Sequence, residues 1–192
     1  ATDGADVADA LEEFPHVDVL IVGAGLSGIG SAWRLSQRCP QRSFVILEAR
    51  ASLGGTWDLF RYPGIRSDSD MFTFGYPFRA WRGDRALADG PKILTYLTNT
   101  ATEAGIDRHI RYQTRVEQAA WSSQHARWTV HVRTGPDRAP GRYTCSFLWI
   151  CSGYYDYDDP HRPTFPGEDE FAGTIVHPQH WPEDVAWAGR DV

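Results

Sequence analysis

The stretch "DVLIVGAGLSGIGSAW", Asp18 to Trp33, constrains this chain more than any other. Val17 to Val22 is a near-continuous β-branched and apolar run that reads as a strand, and Leu26 to about Arg38 has helical periodicity. Between them Gly23, Gly25 and Gly28 form G-x-G-x-x-G. In this order the first glycine permits a tight turn, the second lets a pyrophosphate approach the backbone, and the third packs helix on strand. The helix N-terminus then turns unpaired N–H groups toward the phosphate. Taken alone, the pattern also accords with a tight turn that binds nothing.

Glu48 shifts that balance. Ser43 to Leu47 reads as a second short strand, completing a βαβ unit, and Glu48 follows it, twenty residues after Gly28. A carboxylate there can accept hydrogen bonds from a ribose diol, so dinucleotide binding is the favoured reading. A nicotinamide domain would continue with further alternating βα units. Here Ala51 to Arg85 loses regular periodicity and is punctuated by glycine and proline among aromatics and charges. A loop of this length inside a compact domain is usually functional. A helix follows: Pro91 suits its first turn, Ile93, Leu94, Leu97, Ala101 and Ala104 supply an apolar face, and Gly105 marks its end. Arg115–Trp121, Arg127–Arg133 and Arg142–Ser146 then alternate like half-exposed strands of an antiparallel meander. "FLWIC", Phe147 to Cys151, is apolar throughout and should return to the parallel sheet, buried on both faces. That order looks like the FAD domain of the glutathione-reductase-like flavoproteins.

Composition narrows the setting. The 192 residues suffice for one domain with a substantial core, and no apolar run is long enough to span a bilayer. Nineteen basic against 25 acidic residues give a net charge of -6, with the basic residues scattered, so nucleic acid is not an expected partner. Cys39, Cys145 and Cys151 form an odd set without metal-ligand spacing, which fits ordinary thiols in a reducing, cytoplasmic setting. Residues 1–15 read as a mobile acidic leader, 16–165 as the dinucleotide-binding domain, and 166–192 as a proline-rich linker. "YYDYDD", after Gly153, reads as a solvated loop.

Two further stretches carry a resemblance to a family. "GGTWDLFRYPGIRSDSDM", Gly54 to Met71, closely resembles the class B flavoprotein monooxygenases, especially the Baeyer-Villiger branch. "FAGTIVHPQHWP" places Phe171, Gly173, His177, Trp181 and Pro182 on the family fingerprint F-x-G-x-x-x-H-x-x-x-W-P without a mismatch. The resemblance runs from Val17 to Val192. It implies an α/β, Rossmann-like FAD-binding domain, a parallel sheet with a β-meander, truncated before the NADP domain.

The resemblance further implies roles. Gly23, Gly25, Ser27 and Gly28 contact the FAD pyrophosphate, Glu48 the adenosine ribose, and Gly55, Thr56 and Trp57 the flavin end. Val116 matches a position whose backbone meets the adenine, and Ser152 and Gly153 lie in the crevice after the last strand. Asp68 matches the active-site aspartate that positions a catalytic arginine, and Arg66 and Ser67 fall where the NADPH coenzyme approaches. Arg66 has a second reading as a partner of Asp68 or Asp70, and Asp68 as a loop cap. His177 and Trp181 match residues that couple domain movement to catalysis, an ordinary structural hydrogen bond being the other reading of His177. The implied reaction reduces FAD with NADPH, adds O2 at the flavin C4a, and directs the peroxide to a ketone or a thioether. The second dinucleotide loop and the catalytic arginine are expected in a C-terminal part, joined in cis or supplied in trans, without which turnover is not expected. A stand-alone flavin-binding module is the alternative.

Overall fold

A computed structural model describes residues 15–190, so all of the acidic leader except Pro15 lies outside the described residues. β1 (His16–Val22), α1 (Leu26–Arg38) and β2 (Phe44–Leu47) form the expected βαβ unit. α2 (Thr56–Leu59) and α3 (Met71–Phe74) are single turns within the long aromatic loop, and α4 (Gly90–Glu103) follows it. β3 (Ile110–Arg111), β4 (Thr114–Ser122), β5 (Arg127–Thr134) and β6 (Ala139–Ile150) complete a six-stranded sheet ordered β3-β2-β1-β6-β5-β4. β3, β2, β1 and β6 run parallel; β4, β5 and the first half of β6 form the antiparallel meander.

Successive strand residues point to opposite faces, and the core follows that rule. Val19, Ile21 and Ile46 pack beneath α1 and α4 against Ile29, Ala32, Leu35, Ile93 and Leu97. Leu20, Val45 and Leu47 face the other way and meet Val130, Val132 and Cys145 of the meander. β1 is therefore covered on both sides, which is why its sequence is apolar almost throughout. Each fully buried side chain of this kind contributes about 1.5–3 kcal/mol.

The helices form where the sequence places their signals. α1 has Gly25 in extended conformation at its N-cap with no side-chain cap, and Arg38 in its last turn, where it complements the helix dipole. α4 begins on Pro91 and buries Ile93, Tyr96, Leu97, Thr100 and Ala101. That face is rotated from the expected one: Ala104 is exposed, and Tyr96 and Thr100 turn inward with their hydroxyls hydrogen-bonded. The Asp70 carboxylate caps α3 by accepting from the Thr73 N–H at 3.0 Å.

Two expectations about β6 need correction. The separate strands expected at Arg142–Ser146 and Phe147–Cys151 are one strand, which pairs antiparallel with β5 through Cys145 and parallel with β1 from Thr144 onward. "FLWIC" is also not buried on both faces, since Phe147 is 56%, Trp149 37% and Ile150 60% exposed. α1 and α4 lie over β1 and β2, and among the described residues no element covers the end of β6. Beyond β6 the described chain has only the short 3-10 turns Glu168–Glu170 and Pro178–His180. Among the described residues no helix is long and apolar enough to cross a membrane, and no side-chain group could hold a metal ion.

Candidate functional site

The ends of β1, β2 and β6 converge on the glycine loop. The Gly23 N–H donates to the Leu47 carbonyl at 2.8 Å, and the Cys151 N–H donates to the Val22 carbonyl at 2.8 Å. Gly23 has φ +101, and a Cβ there would lie 2.4 Å from the Cys151 carbonyl oxygen. At Gly28 a Cβ would lie 1.9 Å from the Gly23 carbonyl oxygen. Both positions therefore require glycine for the turn to close on itself. Gly25 differs. Its φ of -81 is open to any residue, and a Cβ there would meet only the Gly55 Cα, at 3.7 Å.

Gly25 and Gly55 are thus in backbone contact, a Cβ at Gly55 lying 3.2 Å from the Gly25 Cα, and the side-chain-free surface beside that contact, at the N-terminus of α1, is the candidate groove. Gly55 has φ +55 and begins α2, so Thr56 and Trp57 start a helical turn beside the first turn of α1. Ser27 is exposed in that first turn. Trp57 is half-buried and meets the Phe74 ring edge-on at 5.7 Å. The first-turn N–H groups of α1 have no side-chain cap, and this end of the helix favours negative charge.

Glu48 is 6% exposed at the end of β2. One carboxylate oxygen accepts the Ala24 N–H at 2.8 Å and the other the Arg50 N–H at 2.9 Å. Each oxygen retains a further lone pair, so the carboxylate both fixes the glycine loop and keeps capacity for a diol. Its backbone carbonyl accepts the Thr114 N–H at 2.8 Å, which sets the start of β4 and half-buried Val116 beside it. Ser152 and Gly153 are exposed just past β6, Gly153 with φ +79.

Five residues that sequence reasoning did not single out shape this groove or the loop beside it. Arg50 Nη2 lies 2.8 Å from the nearly buried Asp58 carboxylate, while its Nη1 donates to the Gly55 carbonyl at 3.3 Å. Ser52 donates to the same carboxylate at 2.6 Å. The pair holds the Gly54–Gly55 turn against β2. Tyr157 is half-buried, its ring 6.0 Å from the Arg50 guanidinium, and its hydroxyl would be 3.9 Å from a Cβ at Gly55. Burial raises its hydroxyl above the ordinary tyrosine value, against the opposing pull of Arg50. "YYDYDD" is therefore not simply a solvated loop. Gln179, 6% exposed, donates its side-chain amide to the Asp156 carbonyl at 2.8 Å. Arg50 sits two residues after Glu48 and could have been noticed; Tyr157 and Gln179 carry no local signal.

The remaining expected residues lie further along the aromatic loop and linker. Ser67 is 3% exposed, donating its hydroxyl to the Ser69 carbonyl and accepting the Ser69 N–H, so it holds its own turn. Arg66 and Asp68 are exposed, and no ion pair joins Arg66 to Asp68 or Asp70 among the described residues. His177 is half-buried; its ring accepts the Gln179 N–H at 3.2 Å and lies 3.3 Å from the His161 carbonyl. Trp181 is half-buried. A separate cavity of about 770 Å³ lies between residues 78–84 and the outer face of α4, away from the groove.

The family model for an NAD(P)-binding Rossmann-like domain matches residues 21–90, the span from β1 to the start of α4. The chain is 56% identical over 177 residues to the FAD-containing monooxygenase EthA of Mycolicibacterium smegmatis, covering 92% of this chain and 36% of that protein. It is 55% identical over 180 residues to the putative FAD-containing monooxygenase MymA of Mycobacterium tuberculosis, with the same coverage. Among solved structures, an oxidized steroid monooxygenase bound to NADP matches with TM-score 0.71 and 32% identity over 88% of this chain and 32% of that one. Cyclohexanone monooxygenase in an open form matches with TM-score 0.76 and 26% identity over 92% of this chain and 34% of that one. The chain is similar to the N-terminal part of the Baeyer-Villiger-type flavin monooxygenases. The resemblance drawn from Gly54–Met71 and Phe171–Pro182 therefore stands, as does the Rossmann-like fold. The chain spans about a third of the length of these relatives.

Proposed function

We propose that this chain forms the FAD-binding part of an NADPH- and O2-dependent flavin monooxygenase of the Baeyer-Villiger type, acting on a ketone or a thioether. The observation that carries the reading is the uncapped N-terminus of α1 on the glycine loop, with the Glu48 carboxylate held on the Ala24 N–H and only glycine backbone where Gly25 meets Gly55. FAD, when bound, supplies the transfer of electrons from NADPH to oxygen, and the protein binds and orients it. Gly25, Ser27 and Gly28 present first-turn backbone N–H groups to the pyrophosphate, and Gly23, whose own N–H is held by the Leu47 carbonyl, shapes the turn that meets it. Glu48 accepts from the ribose with its remaining lone pairs, the Val116 backbone meets the adenine, and Ser152 and Gly153 border the crevice.

Thr56 and Trp57 lie at the flavin end, with Gly55 giving the close approach. Exposed Arg66 faces the nicotinamide coenzyme, and Ser67 holds the turn that presents Asp68. Asp68, free of an ion pair among the described residues, positions an arginine contributed from outside this sequence. His177 and Trp181 link the FAD-binding part to whatever domain follows.

The test is the intact mass of the purified chain together with its visible absorption after incubation with FAD. Flavin retained on a folded 21.6 kDa chain supports the proposal. A folded chain that retains none refutes the assignment of the groove. Joining the chain to the remaining part of the M. smegmatis relative then tests the reaction: NADPH consumption must depend on both halves and yield an oxygenated ketone or sulfide.

A further inference from the structure

The loop after β6 is pinned at three points, and each pin leads somewhere different. The Asp156 carboxylate accepts the N–H groups of Asp158 and Asp159 at 3.0 and 3.1 Å, closing an Asx turn. Asp158 pairs with Arg115 at the start of β4. Tyr157, between them, turns inward to Arg50 and Gly55, and the Asp156 carbonyl is held by the buried amide of Gln179. That carbonyl belongs to the peptide plane that leads into Tyr157, so fixing it fixes the direction in which Tyr157 leaves the backbone. Gln179 lies inside the fingerprint segment, and its own N–H returns to the His177 ring.

We infer that Tyr157 is a cofactor-contacting residue at the Gly25–Gly55 groove, and that Gln179 is a positioning residue which ties the fingerprint segment to the groove through the Asp156–Tyr157 peptide. This rests on the FAD reading above. Among the described residues Gln179 has no hydrogen bond to a groove residue, and its reach to the cofactor runs through one carbonyl. Movement of the 171–182 segment therefore reaches the flavin-binding turn as a reorientation of Tyr157, and FAD bound in the groove restrains the segment in return. Phenol and guanidinium together suit the edge of a dinucleotide: the hydroxyl donates to a phosphate or ribose oxygen while Arg50 holds the ring and the Gly55 carbonyl.

The experiment is a double-mutant cycle on the 192-residue chain, with FAD affinity read by quenching of flavin fluorescence and folding by thermal melts. Tyr157→Phe removes the hydroxyl, and Gln179→Glu removes the amide donor at nearly constant size. Each is expected to weaken FAD binding about three- to tenfold, the range of one hydrogen bond, and the double variant to be no weaker than the weaker single. Hydrogen exchange gives a second readout that a merely structural glutamine would not move: FAD should slow exchange of the 171–182 amides in the unsubstituted chain but not in Tyr157→Phe. If Gln179→Glu fails to fold, Gln179→Met and the exchange comparison decide. Unchanged FAD affinity in a folded Gln179 variant, independent effects in the double variant, or no FAD-dependent protection of residues 171–182 would overturn the inference alone. Failure of the unsubstituted chain to bind FAD would overturn the cofactor reading, and this inference with it.

Discussion

Replacing Gly25 and Gly28 separately by alanine distinguishes a phosphate-binding loop from a turn that is merely tight. At Gly28 the new methyl would lie 1.9 Å from the Gly23 carbonyl oxygen, in backbone that cannot rotate away. Helix α1 must retreat from β1 by more than about 1 Å, an overpacking that costs about 2–3 kcal/mol. For a chain of this size that lowers the melting temperature by about 4–12 °C. At Gly25 the same methyl would meet only the Gly55 Cα, at 3.7 Å, on backbone with φ -81 and ψ -168 that alanine adopts freely. Stability should hold or rise by about 0.4–1 kcal/mol, because the unfolded chain loses freedom. The methyl nevertheless adds bulk at the N-cap of α1, where a pyrophosphate would approach the backbone. Losing one charge-assisted hydrogen bond to phosphate costs about 1.5–3 kcal/mol, so FAD should bind about 10- to 100-fold more weakly. Far-UV circular dichroism melts and flavin fluorescence titration on both variants give the two numbers. A Gly25→Ala variant that binds FAD as tightly as the unsubstituted chain would refute the phosphate-loop argument. A Gly28→Ala variant with an unchanged melting temperature would refute the packing argument.

Arg50→Ala leaves the Asp58 carboxylate, with 9% of its side chain exposed, without its 2.8 Å partner, and should destabilise the chain by about 2–3 kcal/mol in urea titrations. Adding Asp58→Asn should recover part of that loss; no recovery would mean that Arg50 acts elsewhere. Cys145 is buried beneath the meander and its thiol is pushed up to about 11, so iodoacetamide near pH 8 should label Cys39 and Cys151 well before it. Because the raised value belongs to the folded state, stability should also fall as pH climbs from the ordinary thiol value toward 11, and Cys145→Ala should remove that slope. The Ser43 hydroxyl and N–H, aided by Arg42, hold the Asp18 carboxyl down to about 2, so its stabilising effect should persist above the ordinary carboxylate value and fade as pH falls toward 2, as a carboxyl titration by NMR would register. In an enzyme completed with its remaining part, Asp68→Ala should slow oxygenation far more than it weakens FAD binding; the reverse pattern would remove Asp68 from the reaction.

The parts of this molecule that were legible in its sequence are those imposed by local backbone geometry. Gly23 and Gly28 must be glycine because their would-be methyls strike carbonyl oxygens in the turn that they build, and such constraints recur at fixed spacing. Glu48 was legible for the same reason: the length of one βαβ unit places the end of β2 beside the glycine loop, where the Ala24 N–H reaches the carboxylate. The amphipathic pattern of α1 and the alternation of β5 report a single covered face each, whereas in β4 the register shifts between Val116 and Gln118 and the alternation breaks there.

"FLWIC" misled because an apolar run states how much surface a strand can bury, while the cover must come from another element. On β1 the cover exists on both sides; at the end of β6 Phe147 and Ile150 remain open among the described residues. Tyr157 and Gln179 were illegible for a related reason. Tyr157 meets Arg50 across more than a hundred residues, and Gln179 meets the Asp156 carbonyl across 23, through contacts that demand no particular neighbour in sequence. A backbone carbonyl is the same whatever residue bears it, so the tie between fingerprint and groove leaves no motif. The fingerprint names His177 and Trp181, yet in this chain the side chain in that segment with a hydrogen bond to the Asp156–Tyr157 peptide is Gln179, the residue between them. Substitution at Gln179 should therefore change FAD affinity more than substitution at His180, which is exposed at the neighbouring position, and equal effects would place the coupling outside this peptide.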